Sequence, residues 1–291
     1  MMKIREITID NWEKIFNKSG SSNYFQSPKW LKLQSSIFDL RNIFYEITMS
    51  GKSKYISFQE KGGSAYFNFI GYGGFLAKDG ETENLNLIHE IANTIANKDH
   101  FEVSRIKLNP LLNYVGSQNL FIKSNTAILK IENDLEKQEQ NINKKTRNLV
   151  RKAIKNQLII KKVSVNDVDL FYKFYKTTME RVGSEYLTPI ELFKKFAVAD
   201  DVAFLGAYLK NKLVAASVFL KCKDVMYYWW NSSSDKGRLL DANYLLLFSA
   251  IKNAIKENIK FLDMASSHTA TIEEPKLKWG AKKIPLYHFD K

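Results

Sequence analysis

The amino-acid sequence predicts an α/β (α+β) protein with mixed, mostly antiparallel twisted sheets flanked by helices. Segments with apolar residues at helical spacing alternate with short β-rich runs along the 291 residues. Hydrophobic residues make up 45% and aromatic residues 13% of the chain, which is enough for packed cores. The length favours two domains, and the polar stretch 132–143 is the best boundary between them. We therefore predict domains at residues 1–135 and 136–291.

The elements of the first half follow from local signals. Ser27 before Pro28 predicts an N-capped helix with proline in its first turn. Helical patterns also surround residues 12–16 and span residues 85–96. Strands are predicted at residues 42–48, 54–59, 65–69, 103–108 and 127–131. The first half is therefore expected to be an α/β unit.

The second half has a longer series of elements. They are, in order, a basic helix at 143–156, a strand at 158–163, helices at 168–181 and 189–196, an antiparallel meander at 202–209, 213–221 and 225–230, a polar loop at 231–238, an apolar helix at 242–255, and strands at 260–264 and 284–289. This order resembles the GNAT acyltransferase fold, and the first half runs through a similar series. We therefore expect tandem GNAT-like domains, of which the first is degenerate.

Composition narrows the functional classes. Cys222 is the single cysteine, which excludes an intramolecular disulfide and a cysteine-rich metal site. The sequence shows no signal peptide or apolar stretch that could span a membrane, so we predict a cytoplasmic protein. The net charge of +13 suits phosphate-rich partners such as tRNA, coenzyme A or an anionic membrane surface, with peripheral contact left open. Abundant lysine from an AT-rich coding sequence explains the charge equally well.

Four segments resemble the Fem-type aminoacyl transferases of peptidoglycan bridge synthesis, within the GNAT superfamily. They are residues 25–30 (FQSPKW), 144–153 (KKTRNLVRKA), 174–181 (FYKTTMER) and 275–280 (PKLKWG). Pro275 stands where the family typically has an aromatic residue before the lysine. The chain has no room for the helical-hairpin insertion of staphylococcal-type members. The resemblance implies two GNAT-like domains with an acceptor substrate in the cleft between them.

The resemblance also implies roles for individual residues. Arg181 would clamp phosphates of an anionic acceptor, because a guanidinium suits bidentate contacts. Lys276 would stabilise negative charge in the tetrahedral state, with Lys278 as the alternative since Pro275 leaves the register open. Trp30 and Lys32 lie in a segment from which the family draws substrate contacts.

The aromatic run of the third meander strand supplies further candidates. Tyr228 is a candidate catalytic residue and Trp230 a candidate substrate contact. Alternation along a strand predicts that Tyr228 and Trp230 share one face, with Tyr227 and Trp229 on the other. The sequence does not decide which pair faces the cleft.

The donor is predicted from two segments. In GNAT enzymes a glycine-rich loop before a helix holds the pyrophosphate of coenzyme A. The corresponding loop, residues 232–242, contains Leu239 and Leu240 where close backbone approach is needed, which favours aminoacyl-tRNA over acyl-CoA. The basic helix offers Lys144, Lys145, Arg147 and Arg151 for phosphate contacts with tRNA, although a solvated helix face explains them equally well.

The predicted reaction is direct attack of an amine on an activated acyl ester, without a permanently bound cofactor. The expected acceptor is an amino group of a peptidoglycan precursor or a nucleotide-linked sugar. The histidines show no metal-ligand spacing, so no metal is expected, and only His268 is a candidate base. An acetyl-CoA-dependent N-acetyltransferase of surface-glycan biosynthesis and a noncatalytic module that binds tRNA or precursors remain alternatives. The oligomeric state is left open.

Overall fold

The computed structural model describes residues 2–76, 82–116, 121–267 and 269–291. The chain forms two compact units. Unit 1 contains Met1–Asn125 together with Ile284–Lys291, and unit 2 contains Thr126–Lys283. The predicted ranges 1–135 and 136–291 therefore differ from the units at residues 126–135 and at the C-terminal strand.

The helices and strands are numbered in chain order. The strands are β1 (Lys3–Ile7), β2 (Arg41–Met49), β3 (Lys52–Lys61), β4 (Ser64–Tyr66), β5 (Thr82–Asn84), β6 (Glu102–Lys107), β7 (Asn113–Val115), β8 (Ile122–Lys130), β9 (Ile159–Lys162), β10 (Val202–Leu209), β11 (Lys212–Cys222), β12 (Val225–Ser233), β13 (Phe261–Ser266) and β14 (Lys282–Asp290). The helices are α1 (Ile9–Lys18), α2 (Pro28–Phe38), α3 (Leu85–Asp99), α4 (Leu135–Asn141), α5 (Lys144–Lys155), α6 (Val168–Arg181), α7 (Ile190–Val198), α8 (Asp235–Leu239), α9 (Ala242–Lys256) and α10 (Ala270–Leu277).

The sheet of unit 1 has the order β1-β2-β3-β4-β6-β14. All neighbouring strands are antiparallel except β4 and β6, which are parallel. Helix α3 lies between these two strands in the sequence, as a parallel connection requires. Strand β14 pairs with β6 through residues 288–290, which explains why the C-terminal segment belongs to unit 1.

The sheet of unit 2 repeats this pattern. Its order is β9-β10-β11-β12-β13-β8, where β8 contributes from Thr126 onwards. Again one pair is parallel, β12 with β13, and the other pairs are antiparallel. Helices α8 and α9 connect the parallel pair. Strand pairing with β13 therefore places residues 126–130, which were predicted to belong to the first domain, inside unit 2.

Several predicted elements form for the predicted reasons. The Ser27 side chain accepts a hydrogen bond from the Trp30 amide and caps α2, with Pro28 in the first turn. The predicted antiparallel meander is confirmed as β10, β11 and β12. The apolar stripe of α9 packs into the main core of unit 2, with Leu246, Ala250 and Ile251 fully buried.

One prediction of local structure was wrong. The predicted polar loop at 231–238 instead continues β12 to Ser233 and then forms α8, because the Ser234 hydroxyl accepts a hydrogen bond from the Gly237 amide and caps this helix. Residues 270–277 form α10 although Pro275 lies inside it. None of the described helices is long and apolar enough to cross a membrane.

Candidate functional site

Unit 2 contains a cavity of about 230 Å³ between two strands and two helices. Strands β12 and β13 contribute one residue each, α9 contributes three, and α10 with the turn after it contributes the rest. The lining residues are Tyr228, Met264, Asn243, Tyr244, Leu247, Pro275, Lys276 and Trp279. Two candidates from the sequence, Tyr228 and Lys276, are thus brought to one place although 48 residues separate them in the chain.

Lys276 is the cationic side chain of this cavity. Its Nζ donates hydrogen bonds to the main-chain oxygens of Ala265, at 2.8 Å, and Ser266, at 3.0 Å. Both acceptors lie at the end of β13, so the flexible lysine is held by backbone groups. A fixed ammonium group of this kind can stabilise an oxyanion that develops beside it.

Tyr228 also lines the cavity and carries a phenolic hydroxyl group. Its ring stacks on Phe219 of the neighbouring strand, with centroids 4.9 Å apart and planes 15° from parallel. Burial raises the pKa of the Tyr228 phenol to about 12. The phenol is therefore protonated at neutral pH, and it can donate a hydrogen bond but cannot serve as a base.

The remaining wall of the cavity is largely aromatic and aliphatic. The rings of Tyr244 and Trp279 are stacked, with centroids 6.1 Å apart and planes 23° from parallel. Trp279 is 3% exposed, so this wall is fixed by the core. Leu247 and Met264 complete an apolar surface next to Lys276. The arrangement combines one cation and two phenols, those of Tyr228 and Tyr244, with a site for an uncharged group.

The predicted pairing of Tyr228 with Trp230 on one face was wrong. Val218 pairs with Trp230 and Phe219 pairs with Tyr228, so Trp229 is an extra residue in β12. This β-bulge shifts the alternation by one residue and sends the two side chains to opposite faces. Trp230 packs against α7 and is 8% exposed, and its Nε1 donates to Thr188 Oγ1 at 3.2 Å.

Trp30 and Lys32, the predicted substrate contacts near the N-terminus, lie on α2 of unit 1. Trp30 is 1% exposed, packs against Tyr24 and Phe25, and donates from Nε1 to the Ile70 carbonyl oxygen at 3.3 Å. A ring buried in this way stabilises the unit and presents no accessible face to a substrate. Lys32 is exposed.

Arg181 and Lys278 lie in unit 2 outside the cavity lining. Arg181 is exposed at the last residue of α6, where a cation is favourable to the helix dipole. Lys278 is exposed and lines a separate open groove of about 500 Å³ together with residues of the α4–α5 turn. The structure therefore brings Lys276, rather than Lys278, together with Tyr228.

The candidate tRNA contacts on α5 fall into two groups. Lys144, Lys145 and Arg151 are exposed. Arg147 instead donates from Nη1 to the main-chain oxygens of Glu139 and Ile142, both at 2.8 Å, and so holds the turn between α4 and α5. This engagement makes Arg147 a structural residue, which leaves three of the four predicted side chains exposed on the helix.

Residues 232–242 correspond to the loop that holds coenzyme A in GNAT enzymes, and their close packing is seen at Gly237. A Cβ at Gly237 would lie 2.2 Å from the Val214 carbonyl oxygen, so this glycine is needed for contact with β11. Its amide already donates to Ser234 Oγ at 3.1 Å. Asp235 lies in the first turn of α8, and Asp241 precedes α9. The Asp235 carboxylate is ion-paired with Arg238 and the Asp241 carboxylate with Lys152.

Sequence reasoning missed several residues of the cavity. Tyr244 and Leu247 are three positions apart on α9, a spacing that places them on one helix face. This spacing could have identified them once Tyr228 was a candidate, but the same pattern also marks ordinary core residues. His268, the candidate base, lies outside the described residues. Among the residues that the structure describes, no cluster of three potential ligands could hold a metal ion.

A family model for FemAB-like proteins, described as peptidoglycan biosynthesis and recognition, matches residues 109–269, which is more than half of the chain. The chain belongs to the FemAB-like family. This result confirms the Fem-type resemblance of the sequence. No significant match is found among curated proteins.

Solved structures with similar folds support the same assignment of architecture for this FemAB-like protein. FemX is 13% identical with a TM-score of 0.71, covering 99% of this chain and 97% of the other. L-PGS from Bacillus licheniformis is 12% identical, with a TM-score of 0.56 and coverage of 98% and 92%. A tandem GNAT protein from the clavulanic acid biosynthesis pathway is 8% identical, with a TM-score of 0.54 and coverage of 100% and 98%. The predicted tandem GNAT-like fold is confirmed.

Proposed function

We propose that this FemAB-like protein transfers an aminoacyl group from aminoacyl-tRNA to an amino group of an anionic peptidoglycan precursor or nucleotide-linked sugar. The observation that carries the proposal is the cavity of unit 2, in which Lys276 and Tyr228 lie beside an apolar wall. Family membership supports a role in peptidoglycan biosynthesis. We propose that the reaction takes place in the cytoplasm, where such precursors are made.

The proposed chemistry needs no covalent enzyme intermediate. The acceptor amine attacks the ester carbonyl of the aminoacyl-tRNA, and negative charge develops on the carbonyl oxygen. Lys276 Nζ and the Tyr228 hydroxyl would stabilise this charge. The new amide bond forms as the ester C–O bond breaks, and the proton lost by the amine is transferred to the ribose oxygen that leaves. Positioning of the two substrates supplies much of the remaining rate enhancement.

The residues around the cavity support the transfer of an amino acid with an uncharged side chain. Leu247, Met264, Pro275 and Trp279 are apolar, and no carboxylate is among the described lining residues. A cationic side chain on the transferred group would lose its hydration there without gaining an ion pair. We therefore propose a neutral amino acid as the transferred group.

The geometry after β12 supports tRNA rather than acyl-CoA as the donor. The Gly237 amide is engaged by the Ser234 side chain, so it is already hydrogen-bonded where a pyrophosphate would have to bind. Lys144, Lys145 and Arg151 are exposed on α5 and would provide nonspecific phosphate contacts for a tRNA. Arg181 would contact phosphates of the acceptor.

The direct test is product mass. The purified protein is incubated with a peptidoglycan precursor and, in separate reactions, with a mixture of charged tRNAs or with acetyl-CoA. The proposal predicts a precursor whose mass increases by one amino-acid residue in the tRNA reaction. An increase by one acetyl group would establish the N-acetyltransferase alternative, and precursor binding without any product would favour a noncatalytic module.

A further inference from the structure

The end of β13 has a backbone conformation that is unusual for its residue. Ala265 has φ of 61°, in the left-handed region that non-glycine residues seldom adopt. The pairing of β13 with β8 is irregular over the same stretch, between Asp263 and Ser266. A conformation of this kind persists only where neighbouring contacts hold it, and such residues cluster at functional sites.

Asp263 supplies one of the contacts that hold the backbone turn at Ala265, within residues 263–266. Its side chain is fully buried, and Oδ1 accepts from the Ala265 amide at 2.8 Å. The same oxygen accepts from Thr126 Oγ1 at 2.9 Å, and Thr126 is 1% exposed. The carboxylate is therefore fixed to β8 on one side and fixes the left-handed residue on the other.

Lys276 contacts the carbonyl groups of the same turn. Its Nζ donates to the oxygens of Ala265 and Ser266. These two carbonyl groups reach one ammonium because the left-handed residue Ala265 interrupts the regular alternation of β13. A regular strand conformation at this residue would direct successive carbonyl groups to opposite sides.

We propose that Asp263 is a positioning residue for Lys276, acting through the backbone of Ala265. Asp263 holds the Ala265 amide, the left-handed turn presents two carbonyl oxygens, and these oxygens fix the ammonium beside Tyr228. The catalytic part of this inference rests on the proposed function, since it assigns Lys276 to the stabilisation of the oxyanion. The geometric part concerns Lys276 alone and is measurable without substrates.

Two pairs of variants separate positioning from general stability. Asp263→Ala removes the acceptor of the Ala265 amide, and Ala265→Val places a β-branched side chain at positive φ, so both disturb the turn. Asp263→Asn keeps an acceptor oxygen, and Ala265→Gly keeps the turn without strain, so both should preserve it. If Asp263→Ala does not fold, Ala265→Val still tests the proposal.

The activity readout is kcat and KM for the aminoacyl donor. The two disturbing variants should lose up to roughly a hundredfold in kcat, the size of effect that a misplaced group of about 1 Å produces, with KM nearly unchanged. The two preserving variants should retain most of the activity. In a Lys276→Ala background the disturbing variants should have no further effect on kcat, because they act through Lys276.

The substrate-free readout is the rate at which a lysine-acylating reagent modifies Lys276, measured by peptide mass spectrometry. The disturbing variants should increase this rate about fivefold, as expected for the loss of a hydrogen bond, while exposed Lys282 should react as in the wild type. Unchanged Lys276 reactivity in a folded disturbing variant, or an equal loss of kcat in the Lys276→Ala background, would overturn the proposal. An inactive wild type with altered Lys276 reactivity would instead reject the proposed function and retain the positioning role.

Discussion

The two units share the same series of strand pairs but differ at the first strand of the parallel pair. In unit 1 this strand is β4, which has three residues and leads into Phe67, a fully buried residue. In unit 2 it is β12, which has nine residues, a bulge at Trp229 and a side chain, Tyr228, that lines a cavity. The same topology therefore supports a filled core in one unit and a lined cavity in the other.

The difference lies in a few local features. Unit 1 fills this region with rings, since Phe67 packs edge-on against Phe58 with centroids 5.1 Å apart. Unit 2 adds α10 after the second strand of the parallel pair, and this helix carries Lys276. Unit 2 has a bulge in β12, a left-handed residue in β13 and one additional helix, α10. Together these features bring Tyr228 and Lys276 into one cavity, which is the candidate active site.

The largest expected effect concerns the filled core. Phe67→Ala should lower the free energy of unfolding by about 3–5 kcal/mol, because it leaves a cavity among closely packed rings. Denaturation by guanidinium chloride, followed by circular dichroism, measures this loss. A decrease below about 1 kcal/mol would mean that this region of unit 1 is not tightly packed, and the contrast between the units would disappear.

A smaller effect is expected in the cavity of unit 2. Tyr228→Phe should preserve stability and lower kcat about tenfold, because it removes one hydrogen-bond donor to the oxyanion and keeps the ring stacked on Phe219. Tyr227→Phe is the matched control, since Tyr227 is the preceding residue of β12 and is 1% exposed. Equal kcat for Tyr228→Phe and the wild type would remove Tyr228 from the mechanism.

The smallest expected effect concerns pH: the contribution of the Tyr228 hydroxyl to kcat should not change with pH. Because burial raises the pKa of Tyr228 to about 12, the protonated phenol that the mechanism requires persists as the pH rises and is lost only near that value. Tyr228 should therefore add no decrease in kcat between about pH 7 and pH 10. The measurement compares the pH profiles of the wild type and Tyr228→Phe over this range, and profiles that diverge with pH would contradict a hydroxyl donor.

The sequence predicted the order of elements because apolar periodicity and caps are local signals, as α6 illustrates: it spans Val168–Arg181, the predicted residues. Motif resemblance likewise pointed to Lys276. The bulge at Trp229 could not be predicted, since an extra residue in a strand depends on its pairing partner. The membership of β14 in unit 1 depends on long-range pairing as well.

Side-chain environment was the least predictable feature. Trp30 and Trp230 lie in segments that suggested substrate contact, yet both are buried, because a large aromatic ring contributes equally well to a core. Arg147 was grouped with three exposed residues of α5, but it hydrogen-bonds to the turn before its helix. A linear pattern of basic residues does not distinguish these roles.

The most direct test is single-turnover transfer from aminoacyl-tRNA to a peptidoglycan precursor by Lys276→Ala, the predicted catalytic residue, and by Lys278→Ala, its predicted alternative. Loss of an oxyanion-stabilising group should slow transfer by Lys276→Ala by about 10²–10³-fold. Lys278→Ala should remain within about threefold of the wild type, as expected for an exposed side chain outside the cavity. Wild-type rates for Lys276→Ala, or the larger loss for Lys278→Ala, would contradict a transfer site at the Tyr228–Lys276 cavity.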